Sequence, residues 1–327
     1  MRATWPGTLY VVALPIGNPD DITLRAMRTL REVDVILSED TRRTRALLTH
    51  LGLDGRVREA SDGDDSGPAS EAALAALSDG SSGNAEDRGR PLVLRRFDAH
   101  VEGSRLEPVL SALRAGGTCA LVSDAGTPGI SDPGHRLVSA AHEAGLRVVP
   151  VPGASSITAA VSVSGLGAQG FTFHGFAPKA ESARREAFAS LSPGTHVFFT
   201  PSRDLPDLLT DAATVPTLGA AFVAREITKL HETFYRGSPE ALAAALATDA
   251  EATLGEAVVV FEASAAVSDD DAVKAALRPL LAAGTSARDA ARLVAERLGL
   301  PRRHVYQLAL AEPRQPTQRM EPQEDRP

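Results

Sequence analysis

Acidic and basic side chains stand together directly after an apolar segment, in the run SEDTRRT at Ser38–Thr44. The apolar segment, Val33–Leu37, is typical of a short buried strand. Two carboxylates and two guanidinium groups in one turn could exchange protons with a substrate or stabilise charge that develops in a reaction. A network of paired charges that only holds the fold together accounts for the same residues, and both interpretations stay open.

A loop rich in glycine and proline follows a second apolar strand, predicted at Thr118–Val122. This stretch, Leu121–Gly134, reads LVSDAGTPGISDPG and carries Asp124 and Asp132. Glycine lets a ligand approach the backbone, and proline stiffens such a loop. Loops at the carboxyl ends of strands are the usual ligand sites of α/β sheets. The stretch therefore predicts a small-molecule site, with an ordinary strand-to-helix turn as the alternative.

The same order of strand, glycine turn and helix recurs in the first half of the chain. Strands predicted at Thr8–Leu14 and Leu146–Val151 run into PIGN at Pro15–Asn18 and PGASS at Pro152–Ser156. A chain that repeats this unit builds a largely parallel sheet whose loops gather at one edge. The fold class is therefore predicted to be α/β.

The second half has a different pattern, which predicts a mixed sheet with helices. Strands are predicted at Thr233–Gly237 and Ala257–Glu262, paired with each other beside a helix at Pro239–Ala247. A polar linker, Val267–Ala272, then precedes three short helices. These helices are predicted at Val273–Ala283, Ala287–Leu298 and Arg302–Ala311.

The composition indicates a soluble globular protein. The 327 residues are 43% hydrophobic and 23% charged, and the single cysteine, Cys119, excludes a disulfide framework and a thiolate metal cluster within one chain. The amino terminus lacks a signal-peptide pattern and a membrane-spanning apolar run, so we expect a cytoplasmic protein. No metal site is expected, because no His/Cys cluster has zinc spacing.

The net charge of −8 argues against a nucleic-acid partner, but the charge is unevenly distributed. Residues 54–90 carry nine acids against four arginines, and we predict a disordered acidic insertion there. Residues 274–311 carry seven basic residues against two acids, so an acidic total can conceal a basic face. Arg302, Arg303 and His304 begin the third helix and would meet phosphates, although a solvated helix face explains them equally well.

Several motifs, taken in order, resemble one known family. They are PIGN at 15–18, EDTR at 39–42, SDAGTPGISDPG at 123–134, VPG at 151–153 and REITKLHE at 225–232. From Leu9 to Leu310, apart from the insertion, the chain resembles the ribosomal small subunit methyltransferase I family of the tetrapyrrole methylase superfamily. Walker-A and GxGxxG motifs, which would indicate nucleotide or dinucleotide binding, are absent.

The resemblance implies a fold and a reaction. It implies two α/β domains, at 1–127 and 128–266, with S-adenosylmethionine in the cleft between them. A small helical RNA-binding-like domain at 273–311 and a disordered tail at 312–327 would follow. The implied reaction is 2′-O-methylation of a cytidine in the decoding region of 16S ribosomal RNA, catalysed by a homodimer.

The resemblance also implies roles for residues. The residues expected to bind the cofactor are Pro15, Ile16, Gly17, Ser123, Asp124, Ala125, Gly126, Thr127, Pro152 and Gly153. The residues expected to line the catalytic cleft are Glu39, Asp40, Arg42, Arg225, Glu226 and Lys229. A carboxylate of this set would accept the ribose proton, and Lys229 or Arg225 would favour the alkoxide. Alternatively, Glu226 and Lys229 only pair with Arg42 across the domain interface.

Two departures from the family pattern concern the substrate. The chain has His100-Val101-Glu102 where HisAsnGlu is usual, and Thr200–Asp204 reads TPSRD where GluSerProHisArg is frequent. Two alternative functions remain: a methylase of a tetrapyrrole precursor, because the superfamily shares the cofactor cleft, and a non-catalytic ribosome-binding protein that kept the fold.

Overall fold

The first sheet consists of six parallel strands. The computed structural model describes residues 7–53, 55, 57–59, 92–167, 169–249, 253–264, 269–298 and 300–312. The strands of this sheet are β1 (Thr8–Val12), β2 (Val35–Ser38), β3 (Val57–Glu59), β4 (Leu92–Arg96), β5 (Thr118–Val122) and β6 (Arg147–Val151). Their order is β3-β4-β2-β5-β1-β6. The predicted parallel sheet is confirmed.

Helices cover both faces of this sheet. On one face, α1 (Leu24–Glu32) and α2 (Thr41–His50) share an apolar core with β1 and β2. On the other, α3 (Glu102–Arg114) and α4 (His135–Glu143) share a second core with the opposite sides of the strands. Parallel strands buried on both sides are apolar throughout, which explains the unbroken runs in the sequence.

The chain reverses its direction across the sheet between β1 and β5. The connection from β1 passes through α1, and the connection from the adjacent β5 passes through α4 on the opposite face. Right-handed crossovers that run in opposite directions send their loops apart. A crevice therefore opens at the carboxyl ends of β1 and β5, where α/β sheets bind ligands.

The second sheet is mixed, as the sequence predicts. Its strands are β7 (Phe171–Phe176), β8 (Gly194–Pro201), β9 (Leu218–Arg225), β10 (Thr233–Gly237) and β11 (Glu256–Ala263), in the order β10-β9-β11-β8-β7. Only β7 and β8 run parallel. The accompanying helices are α5 (Ser156–Ser164), α6 (Glu181–Ala189), α7 (Leu205–Ala213) and α8 (Pro239–Ala247).

The predicted pairing of β10 with β11 is wrong, because β9 lies between them and pairs with both. The burial patterns give the reason. Residues of β11 are buried almost throughout, which suits a central strand, whereas β10 alternates between half-buried and exposed residues, which suits an edge.

Two predicted boundaries also need correction. The boundary between residues 127 and 128 would cut the first sheet, because β6 pairs with β1 along its whole length. The predicted insertion at 54–90 begins too early, because β3 pairs with β4 at the edge of the sheet. The rest of the insertion, apart from Gly55, and the tail beyond Glu312 lie outside the described residues.

The chain divides into two compact units at Ser264. In the second unit, α9 (Asp269–Ala282), α10 (Ala287–Leu298) and α11 (Arg302–Ala311) enclose a small core that includes Val273, Val294 and Val305. The first of these helices starts four residues before its predicted start, inside the expected polar linker. Consecutive aspartates suit a helix amino terminus because they complement its dipole. Among the described residues, none of the helices has the length and apolarity that crossing a membrane requires.

Candidate active site

A cavity of about 310 Å³ opens at the crevice between β1 and β5 and is bounded on its other side by the second sheet. A volume of this size is typical of small-molecule sites. The first sheet contributes the loops after β1, β2 and β5, and the second contributes strand residues and the loop after β9. The charged lining residues are Glu39, Arg43, Asp124, Asp132, Glu226, Lys229 and Glu256.

The loops after β1 and β5 are tied together at their backbones. Leu14 donates a hydrogen bond to the carbonyl of Gly126 at 2.8 Å, and Gly126 donates to the carbonyl of Leu14 at 3.1 Å. Gly126 has a φ of +75°, a left-handed conformation that favours glycine. This bridge brings Ile16 beside Gly126, and both line the cavity.

Gly17 joins the first sheet to the loop after β9. A Cβ atom at this position would lie 2.5 Å from Cγ of Lys229 and 2.8 Å from the carbonyl oxygen of Ile227. The next residue, Asn18, donates its backbone N–H to Oγ1 of Thr228 at 3.0 Å. Only a residue without a side chain allows this approach, so Gly17 sets the position of Lys229 in the cavity wall.

The residues predicted to bind the cofactor divide into two groups. Those that line the cavity are Ile16, Asp124, Ala125, Gly126 and Thr127. Those outside the lining are Pro15, Gly17, Ser123, Pro152 and Gly153.

The structure gives several residues of the second group a supporting position. A Cβ at Gly153 would lie 3.0 Å from that of Ala13, and the carbonyl of Pro152 accepts a hydrogen bond from Thr23 at 3.4 Å. Ser123 donates to the carbonyl of Ala125 at 3.1 Å. These residues hold the loops that form the wall.

The acidic turn after β2 is divided between the cavity and the surface. Glu39 lines the cavity, where burial and the carboxylates of Asp124 and Asp98 raise its pKa. Asp40 instead caps α2 and accepts a hydrogen bond from the backbone of Arg42 at 2.9 Å. The Arg42 side chain, 88% exposed, pairs with Asp40 at 3.1 Å and lowers the pKa of that carboxyl. The structure thus places Asp40 and Arg42 outside the cavity.

Arg43, the next residue, is the arginine of this turn that reaches the cavity. Its Nη1 lies 3.1 Å from Oδ2 of Asp124. Oδ1 of Asp124 accepts the backbone N–H of Asp40 at 3.1 Å. Both oxygens of Asp124 are therefore engaged, and this carboxylate links α2 to the loop after β5.

The loop after β9 contributes an ion pair to the opposite wall. Nζ of Lys229 lies 2.9 Å from Oε1 of Glu226, which also accepts the backbone N–H of Glu256 at 3.0 Å. Burial favours the neutral carboxyl, but the hydrogen bonds from Lys229 and Glu256 outweigh it and lower the pKa of Glu226. The alternative in which Glu226 and Lys229 pair with Arg42 is wrong, since Glu226 and Lys229 pair with each other.

The same loop carries backbone strain. Glu226 and Thr228 have φ values of +48° and +65°, which are uncommon for residues other than glycine. Such conformations persist where the surrounding structure imposes them, and they cluster at functional sites.

Arg225, also expected in the cleft, is 3% exposed and lies outside the lining. It approaches Asp249 at 3.8 Å and donates to the carbonyl of Leu254 at 3.3 Å. This arginine therefore supports the loop from behind the cavity wall.

Several lining residues were not singled out as catalytic or binding by the sequence analysis. One of them is Asp132, which the sequence indicated only as part of its loop. Burial, together with the carboxylates of Glu39, Asp124 and Glu256, raises the pKa of Asp132 to about 6, although a hydrogen bond from Ser123 lowers it. Aromatic rings of Phe176 and Phe199, 5.5 Å apart, line the second-sheet side. The others are Arg43, Ile130, Ser131, Ser155, Ser156, Ile157, Thr200, Ala224, Ile227, Glu256, Ala257 and Val258.

Comparison with known proteins identifies the family. Residues 8–243 match the family model of the tetrapyrrole (corrin/porphyrin) methylases, and residues 267–313 match that of the RsmI C-terminal HTH domain. Ribosomal RNA small subunit methyltransferase I of Xylella fastidiosa (strain Temecula1) is 39% identical over 308 residues, which cover 92% of this chain and 98% of the relative. The chain belongs to the ribosomal RNA small subunit methyltransferase I family.

A relative from a second organism bears the same name. The methyltransferase I of Escherichia coli O157:H7 is 36% identical over 93% of this chain and 95% of the relative. Among solved structures, uroporphyrin-III-C-methyltransferase from Thermus thermophilus matches with a TM-score of 0.48 at 19% identity, over 78% of this chain and 94% of that one.

The two segments that contain departures from the family pattern lie in different environments. Thr200 lines the cavity, while His100 is exposed beside Asp98. Glu102 is buried and accepts the backbone N–H of Leu137 at 3.3 Å, which ties α3 to α4. Thr200 lines the cavity, whereas His100, Val101, which replaces the usual asparagine, and Glu102 lie outside the lining.

In this family member, the basic residues at the start of α11 are exposed or half-buried. Arg302 pairs with Glu296 at 2.8 Å, and Nε2 of His304 lies 2.5 Å from Oδ1 of Asp270. Arg303 is exposed. Within the described ranges, no group of three or more His, Cys, Asp or Glu residues is placed to hold a metal ion.

Proposed function

We propose that this chain transfers a methyl group from S-adenosylmethionine to the 2′-oxygen of a cytidine ribose in the decoding region of 16S ribosomal RNA. The observation that carries the proposal is the cavity at the reversal point of the first sheet, which the family's motif segments form together. Relatives that bear the name ribosomal RNA small subunit methyltransferase I cover nearly the whole chain. A ribosomal substrate implies a cytoplasmic enzyme.

The chemistry of the cavity fits the methyl donor. Five carboxylates and two cationic side chains face it, so its wall has an excess of negative charge. S-adenosylmethionine carries a sulfonium and an ammonium cation, which such a wall attracts. Ile16 and Ile157 offer apolar surface, as an adenine ring requires. The loops at Ile16–Gly17 and Asp124–Thr127, supported by Pro15, Ser123, Pro152 and Gly153, are proposed to hold the cofactor.

The remaining groups are proposed to act on the ribose. Methyl transfer needs the attacking oxygen in line with the methyl carbon, so positioning supplies much of the rate. A carboxylate of the cavity wall would accept the ribose proton, with Glu39 among the candidates, and Lys229 would stabilise an alkoxide. Asp40, Arg42 and Arg225 would act indirectly: Asp40 and Arg42 fix the start of α2, and Arg225 supports the loop that carries Lys229.

The RNA is proposed to meet a second surface on α11. Phosphates would replace Glu296 as the partner of Arg302 and Asp270 as the partner of His304, and the exposed Arg303 would bind a further phosphate. We also propose that the enzyme acts as a homodimer, an expectation from the superfamily.

Mapping of ribose methylation tests the function directly. Purified protein is incubated with S-adenosylmethionine and either naked 16S ribosomal RNA or isolated small subunits, with a control lacking the methyl donor. We expect one new 2′-O-methyl group at a decoding-region cytidine, dependent on the donor.

Two other outcomes would contradict the proposal in different ways. Cofactor binding without RNA methylation would favour a small-molecule substrate, as in methylases of tetrapyrrole precursors. Absence of cofactor binding would favour a non-catalytic ribosome-binding protein. Isothermal titration calorimetry with S-adenosylmethionine separates these two outcomes.

A further inference from the structure

Asp132 lies in the cavity wall, in a loop whose conformation is tightly fixed. Gly129, Ser131 and Gly134 all have left-handed φ values, of 81°, 63° and 113°. A Cβ at Gly134 would lie 2.5 Å from Cδ2 of Leu121, so the end of the loop is held against β5. Left-handed backbone at Ser131 is strained and persists only where the surroundings impose it. The loop thus holds Asp132 at the cavity.

Two other carboxylates of the cavity wall, Asp124 and Glu226, are already engaged by cations and backbone N–H groups. Asp124 binds Arg43 and the backbone of Asp40, and Glu226 binds Lys229 and the backbone of Glu256. The hydrogen bonds from Lys229 and Glu256 stabilise the ionised form of Glu226 and lower the pKa of that carboxyl. Asp40 lies outside the lining.

The charged groups that share the cavity lining with Asp132 come from five segments. They are Glu39 after β2, Arg43 on α2, Asp124 after β5, Glu226 and Lys229 after β9, and Glu256 on β11. Burial, followed by the carboxylates of Glu39, Asp124 and Glu256, raises the pKa of Asp132 to about 6, and a hydrogen bond from Ser123 only partly offsets this rise. A base whose pKa lies close to neutral pH is both ionised and able to accept a proton.

We propose that Asp132 is the catalytic residue that accepts the proton of the ribose 2′-hydroxyl; this inference rests on the function proposed above. The O2′–H bond breaks and its proton passes to an Oδ atom of Asp132, from which it leaves to solvent after turnover. Bound S-adenosylmethionine supplies the methyl carbon to which O2′ bonds, while the carbon–sulfur bond breaks and its electron pair stays on sulfur. Lys229, on the second-sheet side, stabilises negative charge on O2′.

The first test measures the carboxyl group itself, without any reaction. Protein labelled with ¹³C at aspartate carboxyls is titrated by NMR as wild type, Asp132→Asn and Glu39→Gln. We expect one signal with a midpoint of about 6 that disappears in Asp132→Asn. The same signal should titrate at lower pH in Glu39→Gln, because a neighbouring negative charge is lost.

The second test follows methyl transfer to the RNA between pH 5 and 8. Wild-type kcat/KM reports ionisations of the free enzyme and should rise through about pH 6, since the base must be ionised. Asp132→Asn should lose roughly 10²- to 10⁴-fold and become independent of pH in this range. Its affinity for S-adenosylmethionine, measured by calorimetry, should stay within about threefold of wild type.

Three results would overturn the inference. In the first, Asp132→Asn keeps its activity and pH dependence while Glu39→Gln loses both, which would make Glu39 the base. Another is a loss of cofactor affinity that matches the loss of activity, which would make Asp132 a cofactor ligand. The third is an Asp132 signal that titrates near pH 4. Absence of transfer by the wild type would instead overturn the proposed function, and this inference with it.

Discussion

Charged residues are used differently in the cavity and in the carboxy-terminal helices. Around the cavity, burial and crowding of like charges raise the pKa values of Glu39 and Asp132. On α10 and α11, Glu296 and Arg302 pair while each remains more than half exposed. Water screens such exposed pairs, so they contribute little free energy.

This difference in burial suits the two groups of charged residues to different functions. Half-buried charges whose proton affinity is altered can take part in proton transfer, but they depend on close placement by the surrounding loops. Exposed pairs can exchange a carboxylate for a phosphate at small cost, which suits salt-dependent binding to RNA. Substitutions around the cavity should therefore have large effects on turnover, and substitutions on α11 should have small effects on affinity.

After Asp132→Asn, the largest effect in this comparison is expected for Gly17→Ala. The added Cβ would lie 2.5 Å from Lys229 and would displace the loop after β9. A displacement of about 1 Å at a catalytic group can cost about 10²-fold, so we expect kcat/KM for RNA methylation to fall by that order. The measurement is a steady-state methyl-transfer assay with small subunits.

Gly103→Ala is the matched control for this substitution. Gly103 lies in α3, and a Cβ there would meet no atom within 4 Å. Alanine is favoured over glycine in helices by up to about 1 kcal/mol, so thermal unfolding should show equal or higher stability with unchanged turnover. Equal activity of Gly17→Ala and Gly103→Ala would refute the role assigned to Gly17.

An intermediate effect is expected for Lys229→Met. The substitution removes the hydrogen bond that lowers the pKa of Glu226, and it removes a cation from the cavity wall. We expect the rate of single-turnover methyl transfer to fall by about 10- to 100-fold at saturating cofactor.

Lys274→Met on α9 is the corresponding control, since Lys274 forms a looser pair with Asp271 at 3.8 Å. Its single-turnover rate should match that of the wild type. If the single-turnover rate falls equally in both lysine variants, the loss of a positive charge, and not its position in the cavity, explains the effect.

The sequence allowed the loops to be predicted better than the orientation of side chains. Gly126 and Asp124 follow a buried strand, and parallel topology places such loops at one edge. The choice between Arg42 and Arg43 depends on the start of α2, where Asp40 folds back to cap the helix and keeps Arg42 outside. The preference of aspartate for this capping position was the available signal.

The part of the cavity wall that the second sheet forms could not be predicted, because it depends on tertiary packing. Phe176, Phe199 and Glu256 come from three strands of the second sheet, and nothing in their local sequence indicates that they face the loops of the first. Arg225 ends a buried strand and points away from the cavity towards Asp249, although it precedes Glu226 in the same motif.

The smallest effect is expected for Arg303→Ala and Arg302→Ala on α11. Each should weaken binding to 16S ribosomal RNA by about two- to tenfold. Each should also reduce the slope of the logarithm of the binding constant against the logarithm of the salt concentration by about one, as for loss of a single phosphate contact. Arg302→Ala should lower the free energy of unfolding by less than about 1 kcal/mol, because its pair with Glu296 is exposed.

Arg297→Ala on α10 is the matched control, an exposed arginine outside the proposed contact. Filter-binding titrations at several salt concentrations distinguish the two helices: equal losses in all three variants would show that net charge, and not the start of α11, attracts the RNA.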